Sequence, residues 1–146
     1  MPLLEVKDIV VTYRGARALA GVNLALEPGE IATVIGANGA GKTTCLRTIS
    51  GLKRIDSGEI WFAGQRIDAV SPRVAVELGV VHIPEGKRLF PRMTVRENLE
   101  MGTFLRRDAR EIADDFERVF ARFPILKERA KQAAGSLSGG EQQLLA

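Results

Sequence analysis

The sequence lacks the features that mark secreted and membrane-spanning proteins. Its 146 residues contain one cysteine, Cys45, so no disulfide can close within the chain, and a reducing compartment is favoured. Glu5, Lys7 and Asp8 place charges where the apolar part of a secretory signal would lie. No stretch approaches the roughly 18 to 20 apolar residues of a membrane span. We therefore expect a protein that is soluble or that reaches a membrane only through a partner.

Internal repeats and low-complexity segments are also absent, and neither sign of charge dominates. With 45% hydrophobic and 27% charged residues, the chain can bury a core and is not a disordered tail. Its length is that of one ordinary domain. The net charge of +3 comes from lysines and arginines spread along the chain, which gives little support for binding to nucleic acid.

Hydrophobic patterning predicts strands and short helices in the first half of the chain. The predicted strands are residues 3–13, 22–27, 31–36, 58–64 and 80–83, and the predicted helices are residues 41–50 and 71–79. Residues 31–36, IATVIG, and residues 80–83, VVHI, are apolar runs typical of strands buried on both faces. From about residue 94 the pattern is helical. In residues 110–123 an apolar stripe predicts a helix packed on a core; its members are Ile112, Phe116, Val119, Phe120 and Phe123.

Residues 36–43, GANGAGKT, match the pattern G-x-x-x-x-G-K-[ST] at every fixed position and are called the phosphate loop below. Its glycines are Gly36, Gly39 and Gly41. They allow backbone conformations closed to other residues, so that successive N–H groups can turn inward and cradle an anion. Lys42 is expected to contact the β- and γ-phosphates of a nucleotide, and the Thr43 hydroxyl to hold Mg²⁺. The loop follows a predicted buried strand and opens a predicted helix, as this motif requires.

Residues 137–143, LSGGEQQ, are called the signature segment below. Ser138 and Glu141 have the S-x-x-E spacing of a capping box, which predicts the start of a helix. Gly139 and Gly140 leave the first turn open, so that a ligand can approach its N–H groups closely. Taken alone, the string favours a well-capped helix that binds nothing.

The two motifs together resemble those of the ATP-binding cassette (ABC) ATPases, and the resemblance covers the chain from Tyr13 to Ala146. It implies an α/β fold: a P-loop NTPase core with an N-terminal antiparallel β subdomain and a helical subdomain, incomplete at the C-terminus. Tyr13 matches the aromatic residue that stacks on adenine in that family. The resemblance implies these nucleotide-binding residues: Tyr13, Gly36, Asn38, Gly39, Gly41, Lys42, Thr43 and Thr44.

Residues 82–99 look most like the ATP-binding subunits of branched-chain amino acid importers, which share the PEG of residues 84–86. Most of the family carries glutamine at the position of Glu85, where the side chain reaches Mg²⁺ and the attacking water. The resemblance implies catalytic roles for Lys42 and Glu85 and metal contacts for Thr43 and Glu85. The alternative for Glu85 is an exposed loop glutamate. His82 is interpreted as a packed residue of an apolar strand.

Basic side chains follow at Lys87, Arg88, Arg92 and Arg96. A solvated face is the favoured interpretation. The alternative is a groove in which the helical segment meets a membrane-embedded partner.

The family also has elements that this sequence does not contain. After the signature comes an apolar strand ending in Asp-Glu and later a histidine that contacts the γ-phosphate, whereas the one histidine here is His82. In the family's sheet those strands lie between the strands that match residues 31–36 and 80–83. We therefore expect two exposed, unpaired strand edges in this chain, and a whole protein roughly 100 residues longer.

The signature of this family acts across a head-to-tail dimer. By resemblance, Ser138, Gly139, Gly140 and Glu141 would close on ATP held by the phosphate loop of a second ATPase subunit. Hydrolysis would then open the interface, because the γ-phosphate completes it.

These observations predict one ABC ATPase domain, with residues 1–86 as β subdomain and P-loop core and residues 87–146 as helical subdomain. The predicted function is Mg-ATP hydrolysis coupled to uptake of branched-chain amino acids, with ATP and Mg²⁺ as cofactors. The predicted partners are a related second ATPase subunit, two membrane permeases and, indirectly, a solute-binding protein, but no nucleic acid. The predicted location is the cytoplasmic face of a bacterial plasma membrane. Three alternatives stay open: an importer of amides, urea or polar amino acids, a soluble ABC ATPase, and a nucleotide-binding module without hydrolysis.

Overall fold

The computed structural model describes residues 1–86 and 88–146, which form two compact units, Met1–His82 and Ile83–Ala146. Lys87, one of the four basic residues noted above, lies outside the described residues. Each unit has a buried core of its own. The division of the domain at residues 86 and 87 stays a prediction.

The first unit is built on an antiparallel sheet of four strands in the order β2-β1-β3-β4. The strands are β1 (Leu4–Tyr13), β2 (Ala16–Leu26), β3 (Ser57–Phe62) and β4 (Gln65–Arg66). Strand β1 lies at the centre and pairs with both long neighbours, so its apolar residues Val6, Ile9 and Val11 are buried. The predicted N-terminal antiparallel subdomain is confirmed.

Two helices belong to this unit, α1 (Lys42–Ile49) and α2 (Pro72–Glu77). Cys45 on α1 is buried in the same core as β1 and β2, and burial raises the pKa of its thiol. Helix α2 begins as predicted: the Ser71 side chain accepts a hydrogen bond from the Val74 N–H, and Pro72 occupies the first position.

Two predicted strands are wrong: neither residues 31–36 nor residues 80–83 form a strand. Ile31 and Ile35 are 93% and 89% exposed, and Val81 and Ile83 are 72% and 61% exposed. A strand needs a neighbour that exchanges backbone hydrogen bonds with it, and in the described part of the chain no segment does so for either run. The exposure was expected, but the loss of strand structure was not. His82 is accordingly half-buried in an irregular segment and not packed within a strand.

The second unit is helical, with α3 (Val95–Gly102), α4 (Ala109–Arg122), α5 (Pro124–Glu128), a 3₁₀ turn (Ala134–Ser136) and α6 (Gly139–Leu145). Its core consists of Val95, Phe120, Leu126, Ala134, Leu137 and Leu145. The stripe predicted on α4 is confirmed in four of its residues, because Phe120 is buried and Phe116, Val119 and Phe123 pack against this core. The described helices include none that is long and apolar enough to cross a membrane.

Candidate functional site

The phosphate loop lies on the surface of the first unit and leads directly into α1. Gly41 is the N-cap of this helix and has a left-handed φ of 89°. A Cβ at Gly41 would lie 2.6 Å from the Ala18 carbonyl oxygen and 2.6 Å from Leu19 Cδ2 of β2. A side chain at this position would be strained by the left-handed backbone and would clash with β2. Glycine avoids both, and it lets the start of α1 approach the sheet.

The first N–H groups of α1 lie outside the hydrogen bonds of the helix. The first hydrogen bond of the helix runs from the Cys45 N–H to the Gly41 carbonyl at 2.8 Å. The N–H groups of residues 42–44 therefore come before the first hydrogen bond within the helix. No side chain among the described residues caps this end, and its first turn contains no acid. These N–H groups and the helix dipole together favour a bound anion.

Lys42 places its charge across the phosphate loop. Its Nζ ammonium donates to the Gly36 carbonyl at 2.7 Å and to the Ala37 carbonyl at 2.8 Å. A lysine ammonium has three donors, so one remains for an anion. The loop is closed further by a turn at Asn38 and Gly39, in which the Ala40 N–H donates to the Ala37 carbonyl at 3.1 Å. The Lys42 ammonium therefore lies against the backbone at the start of the phosphate loop.

A cavity of about 340 Å³ lies beside the loop, between β2 and residues 33–35. Leu19, Val22 and Leu24 of β2 form an apolar wall, and Gly41 and Lys42 lie at its edge. An apolar wall offers no donors to a triphosphate, so the chemistry suited to phosphate lies at the start of α1 and not in the cavity.

Tyr13 ends β1 at the same end of the β1–β2 hairpin as the phosphate loop. Gly41 touches Leu19, which pairs with Val11, two residues before Tyr13. The Tyr13 ring is 38% exposed. The Lys53 ammonium lies 4.5 Å from the ring centroid, a cation–π contact.

The signature segment enters α6 through the capping box that the sequence predicts. The Ser138 hydroxyl accepts from the Glu141 N–H at 3.3 Å, and a Glu141 carboxylate oxygen accepts from the Ser138 N–H at 2.8 Å. The hydrogen bond from the Ser138 backbone holds the pKa of Glu141 below its ordinary value. Arg129 contacts the same carboxylate oxygen at 3.3 Å. Glu141 is therefore engaged in capping, while Ser138, Gly139 and Gly140 are exposed.

The predicted site residues divide between the two units. The residues of the phosphate loop and Tyr13 lie together in the first unit. Glu85 lies in the second unit, on an exposed turn with Gly86, and the signature segment belongs to that unit as well. The predicted metal contacts of Thr43 and Glu85 stay predictions.

Sequence reasoning missed three residues that the structure singles out. Lys53 lies in a loop of no recognisable pattern, and its contact with Tyr13 depends on the fold. Asn98 lies within residues 82–99, and its partner Phe90 is eight residues away, beyond the reach of a helical or strand pattern. Gly135 lies beside the signature segment, and its partner Pro91 is far from it in sequence. Glycine next to a helical motif is the only signal that could have drawn attention to Gly135.

Comparison with known proteins identifies the family. The profile of the ABC transporter family matches residues 19–146. The chain is 44% identical to the high-affinity branched-chain amino acid transport ATP-binding protein BraG of Pseudomonas aeruginosa, over 95% of this chain and 60% of the relative. It is 34% identical to a probable branched-chain amino acid transport ATP-binding protein, LivF, of Archaeoglobus fulgidus, over 99% of this chain and 61% of the relative. It is also 40% identical to the ribose import ATP-binding protein RbsA 1 of Burkholderia ambifaria, over 99% of this chain and 29% of the relative.

Solved structures agree on the fold. An ATP-binding cassette of an ABC transporter superposes with a TM-score of 0.84 at 27% identity, over 99% of this chain and 62% of that protein. A nucleotide-free ATP-binding cassette gives a TM-score of 0.81 at 26% identity, over 99% and 62%. The chain thus spans about three fifths of the length of BraG, of LivF and of these cassettes.

Proposed function

The chain belongs to the ABC transporter family, and on that premise we propose that it binds Mg-ATP and works as the ATP-hydrolysing subunit of an importer. One observation carries the proposal: the Lys42 ammonium contacts the phosphate loop at Gly36 and Ala37, and the loop leads into the start of α1, which no described side chain caps. A cationic side chain together with a helix N-terminus is the arrangement that binds phosphates.

The residues present fit a nucleotide that brings its own Mg²⁺. Among the described residues no cluster of three or more His, Cys, Asp or Glu side chains could hold a metal ion alone. Mg²⁺ is commonly held by one or two protein oxygens together with substrate phosphates and waters. Thr43, exposed in the first turn of α1, would supply the hydroxyl, and the resemblance adds Glu85 as a second oxygen ligand. The ion would neutralise charge on the phosphates, while Lys42 binds the β- and γ-phosphates and Tyr13 stacks on adenine.

For the solute we propose branched-chain amino acids. The 44% identity to BraG and the 34% identity to LivF support this choice, because both of those proteins are ATP-binding proteins of branched-chain amino acid transport. A sugar such as ribose is the second candidate, since the chain is also 40% identical to a ribose import protein.

We also propose the partners. Ser138, Gly139 and Gly140 are exposed at the start of α6, where they would contact ATP bound by a second, related ATPase subunit. Residues 88–94, called the docking loop below, would contact a membrane permease. Arg88, Phe90 and Arg92 are exposed on this loop, which favours a partner with both apolar and acidic side chains. Such partners would hold the subunit at the cytoplasmic face of the membrane.

The test is reconstitution of the whole ATPase with its permeases and its second ATPase subunit in proteoliposomes. We expect Mg-ATP-dependent uptake of labelled leucine, isoleucine and valine, and none with a non-hydrolysable ATP analogue. Uptake of ribose in place of the amino acids would overturn the proposed solute alone. Absence of ATP hydrolysis in the assembled complex would overturn the proposed enzyme activity.

A further inference from the structure

We propose that Asn98 and Gly135 are positioning residues that fasten the docking loop to the segment entering α6, so that contact with a permease is transmitted to Ser138. The proposal rests on the proposed function, in which the docking loop faces a permease and Ser138 faces ATP of a second subunit. It concerns contacts within the second unit alone.

Asn98 on α3 holds the backbone of the docking loop. Its Oδ1 accepts from the Phe90 N–H at 2.9 Å, and its Nδ2 donates to the Phe90 carbonyl at 3.0 Å. The same Nδ2 lies 2.9 Å from the Thr94 carbonyl and 3.4 Å from that of Met93. A single half-buried amide therefore engages the loop backbone at Phe90 and again at Met93 and Thr94.

Gly135 fastens the other side of the loop. Its N–H donates to the Pro91 carbonyl at 2.9 Å, and the neighbouring Ala134 N–H donates to the Met93 carbonyl at 2.9 Å. A Cβ at Gly135 would lie 2.9 Å from the Pro91 carbonyl oxygen and 3.0 Å from Pro91 Cβ. The backbone of Gly135 is not left-handed, so any residue could adopt its conformation. Glycine is needed because a side chain would clash with Pro91.

The segment that holds the loop is itself held by α6. The Gln142 side chain donates to the Leu137 carbonyl at 3.0 Å and to that of Gly135 at 3.5 Å. Leu137 is buried in the core of the unit, directly before the N-cap Ser138. A continuous series of hydrogen bonds therefore runs from the docking loop through Gly135 to the helix that begins at Ser138.

These contacts use the backbone of the loop and leave its exposed side chains, Arg88, Phe90 and Arg92, available. Asn98, Ala134 and Gly135 bond to N–H and C=O groups alone, while the Phe90 side chain stays 49% exposed. A large apolar side chain on a fixed backbone is suited to anchoring in a partner's pocket at low entropic cost. Because the loop and the start of α6 share one hydrogen-bonded segment, a displacement of one should carry the other.

The experiment compares Gly135→Ala, Asn98→Ala and Asn98→Asp in the reconstituted transporter. Asn98→Asp keeps the side-chain volume but turns an oxygen toward the Phe90 and Thr94 carbonyls, so it tests hydrogen bonding and not packing. Gly102→Ala on α3 is the matched control, because a Cβ there would meet nothing within 4 Å. We expect solute transported per ATP hydrolysed to fall about 5-fold or more in the three test variants. ATP affinity of the isolated subunit should stay within about 2-fold, as it should in the control.

Two further readouts separate positioning from mere support of the fold. Hydrogen exchange of the Ala134 and Gly135 amides should speed up in Asn98→Ala, although Asn98 bonds to neither. The double variant Asn98→Ala with Gly135→Ala should lose no more coupling than the worse single variant, since both act through one loop.

Unchanged transport per ATP in the test variants, with a working wild type, would overturn the inference and leave the proposed function intact. A parallel loss of thermal stability and ATP affinity would overturn it too, because it would show a structural role. A wild type without ATP hydrolysis would instead refute the proposed function.

Discussion

At the scale of single residues, we expect nucleotide binding to depend most on the side chain of Lys42. Its ammonium is already fixed to the Gly36 and Ala37 carbonyls at the mouth of the loop. Lys42→Ala should weaken ATP binding about 10- to 100-fold, because a hydrogen bond to a charged group contributes about 1.5 to 3 kcal/mol. Isothermal titration with Mg-ATP measures this loss.

The matched control is Lys127→Ala, which removes an exposed lysine of α5 in the other unit. Its ATP affinity should equal that of the wild type. Equal affinity in Lys42→Ala and in the wild type would contradict the assignment of the phosphate loop.

Lys53 leads to a second prediction about a single residue. Its ammonium covers one face of the Tyr13 ring and leaves the partly exposed ring available to adenine. Lys53→Ala should weaken ATP binding about 2- to 5-fold, the value of an exposed cation–π contact of about 0.5 to 1 kcal/mol. Lys53→Arg should retain the affinity.

The same variants distinguish an effect on adenine binding from an effect on phosphate binding. Tripolyphosphate binding should be unaffected by Lys53→Ala, and the substitution should have no added effect in a Tyr13→Ala background. A loss of tripolyphosphate binding would show that Lys53 acts on the phosphates and not through Tyr13.

At the scale of elements, the sequence predicts well those that carry their own signals. The strand β1, the helix α4 and the caps at Ser71 and Ser138 follow from local periodicity and capping chemistry, and all are present. Residues 31–36 and 80–83 are different, because a buried central strand depends on neighbours that lie elsewhere in sequence. Their apolar composition predicts burial, but it cannot supply the hydrogen-bonding partners that a strand needs.

The candidate site shows the same division between local and distant signals. The phosphate loop and the signature segment could be recognised because their chemistry depends on residues at fixed, short spacings in the sequence. Lys53 and Asn98 could not, since their roles depend on Tyr13 and on Phe90, which only the fold brings close.

The start of α6 yields a prediction about this element. Ser138 is both the N-cap of α6 and an exposed residue of the signature segment. Ser138→Arg should abolish ATP hydrolysis in the assembled transporter, because the large cation would block contact with ATP on the second subunit. Nucleotide binding by the isolated subunit should stay nearly intact.

Ser71→Arg is the matched control, since it removes the N-cap of α2 without altering the signature segment. Both variants should lose about 1 kcal/mol of stability through the missing cap. A loss of ATP binding in Ser138→Arg as large as its loss of hydrolysis would count against action on a second subunit.

At the scale of the whole molecule, the two exposed apolar runs decide how the polypeptide 1–146 behaves alone. Ile31, Ile35, Val81 and Ile83 expose side chains beside backbone that no strand pairs. Such runs associate with other chains, so we expect concentration-dependent oligomers and no sharp monomeric unfolding transition. Size-exclusion chromatography with light scattering measures the association.

Substitution of Ile31 and Val81 by lysine should shift this polypeptide toward the monomer. Phe104→Lys is the control, because Phe104 is 78% exposed but lies in neither run. If Phe104→Lys reduces the association equally, the cause is the general hydrophobicity of the surface and not the two runs. A monodisperse, cooperatively unfolding wild-type polypeptide would refute the prediction.

The burial of Cys45 has a practical consequence for measurements on the polypeptide 1–146. It is the one thiol of the chain, it is 4% exposed, and its raised pKa leaves little thiolate at neutral pH. Maleimide dyes and spin labels should therefore not react with Cys45 in the folded protein. In the polypeptide 1–146, a cysteine introduced at the exposed position 104 therefore becomes the one reactive attachment point, so the second unit can be followed spectroscopically without removal of Cys45.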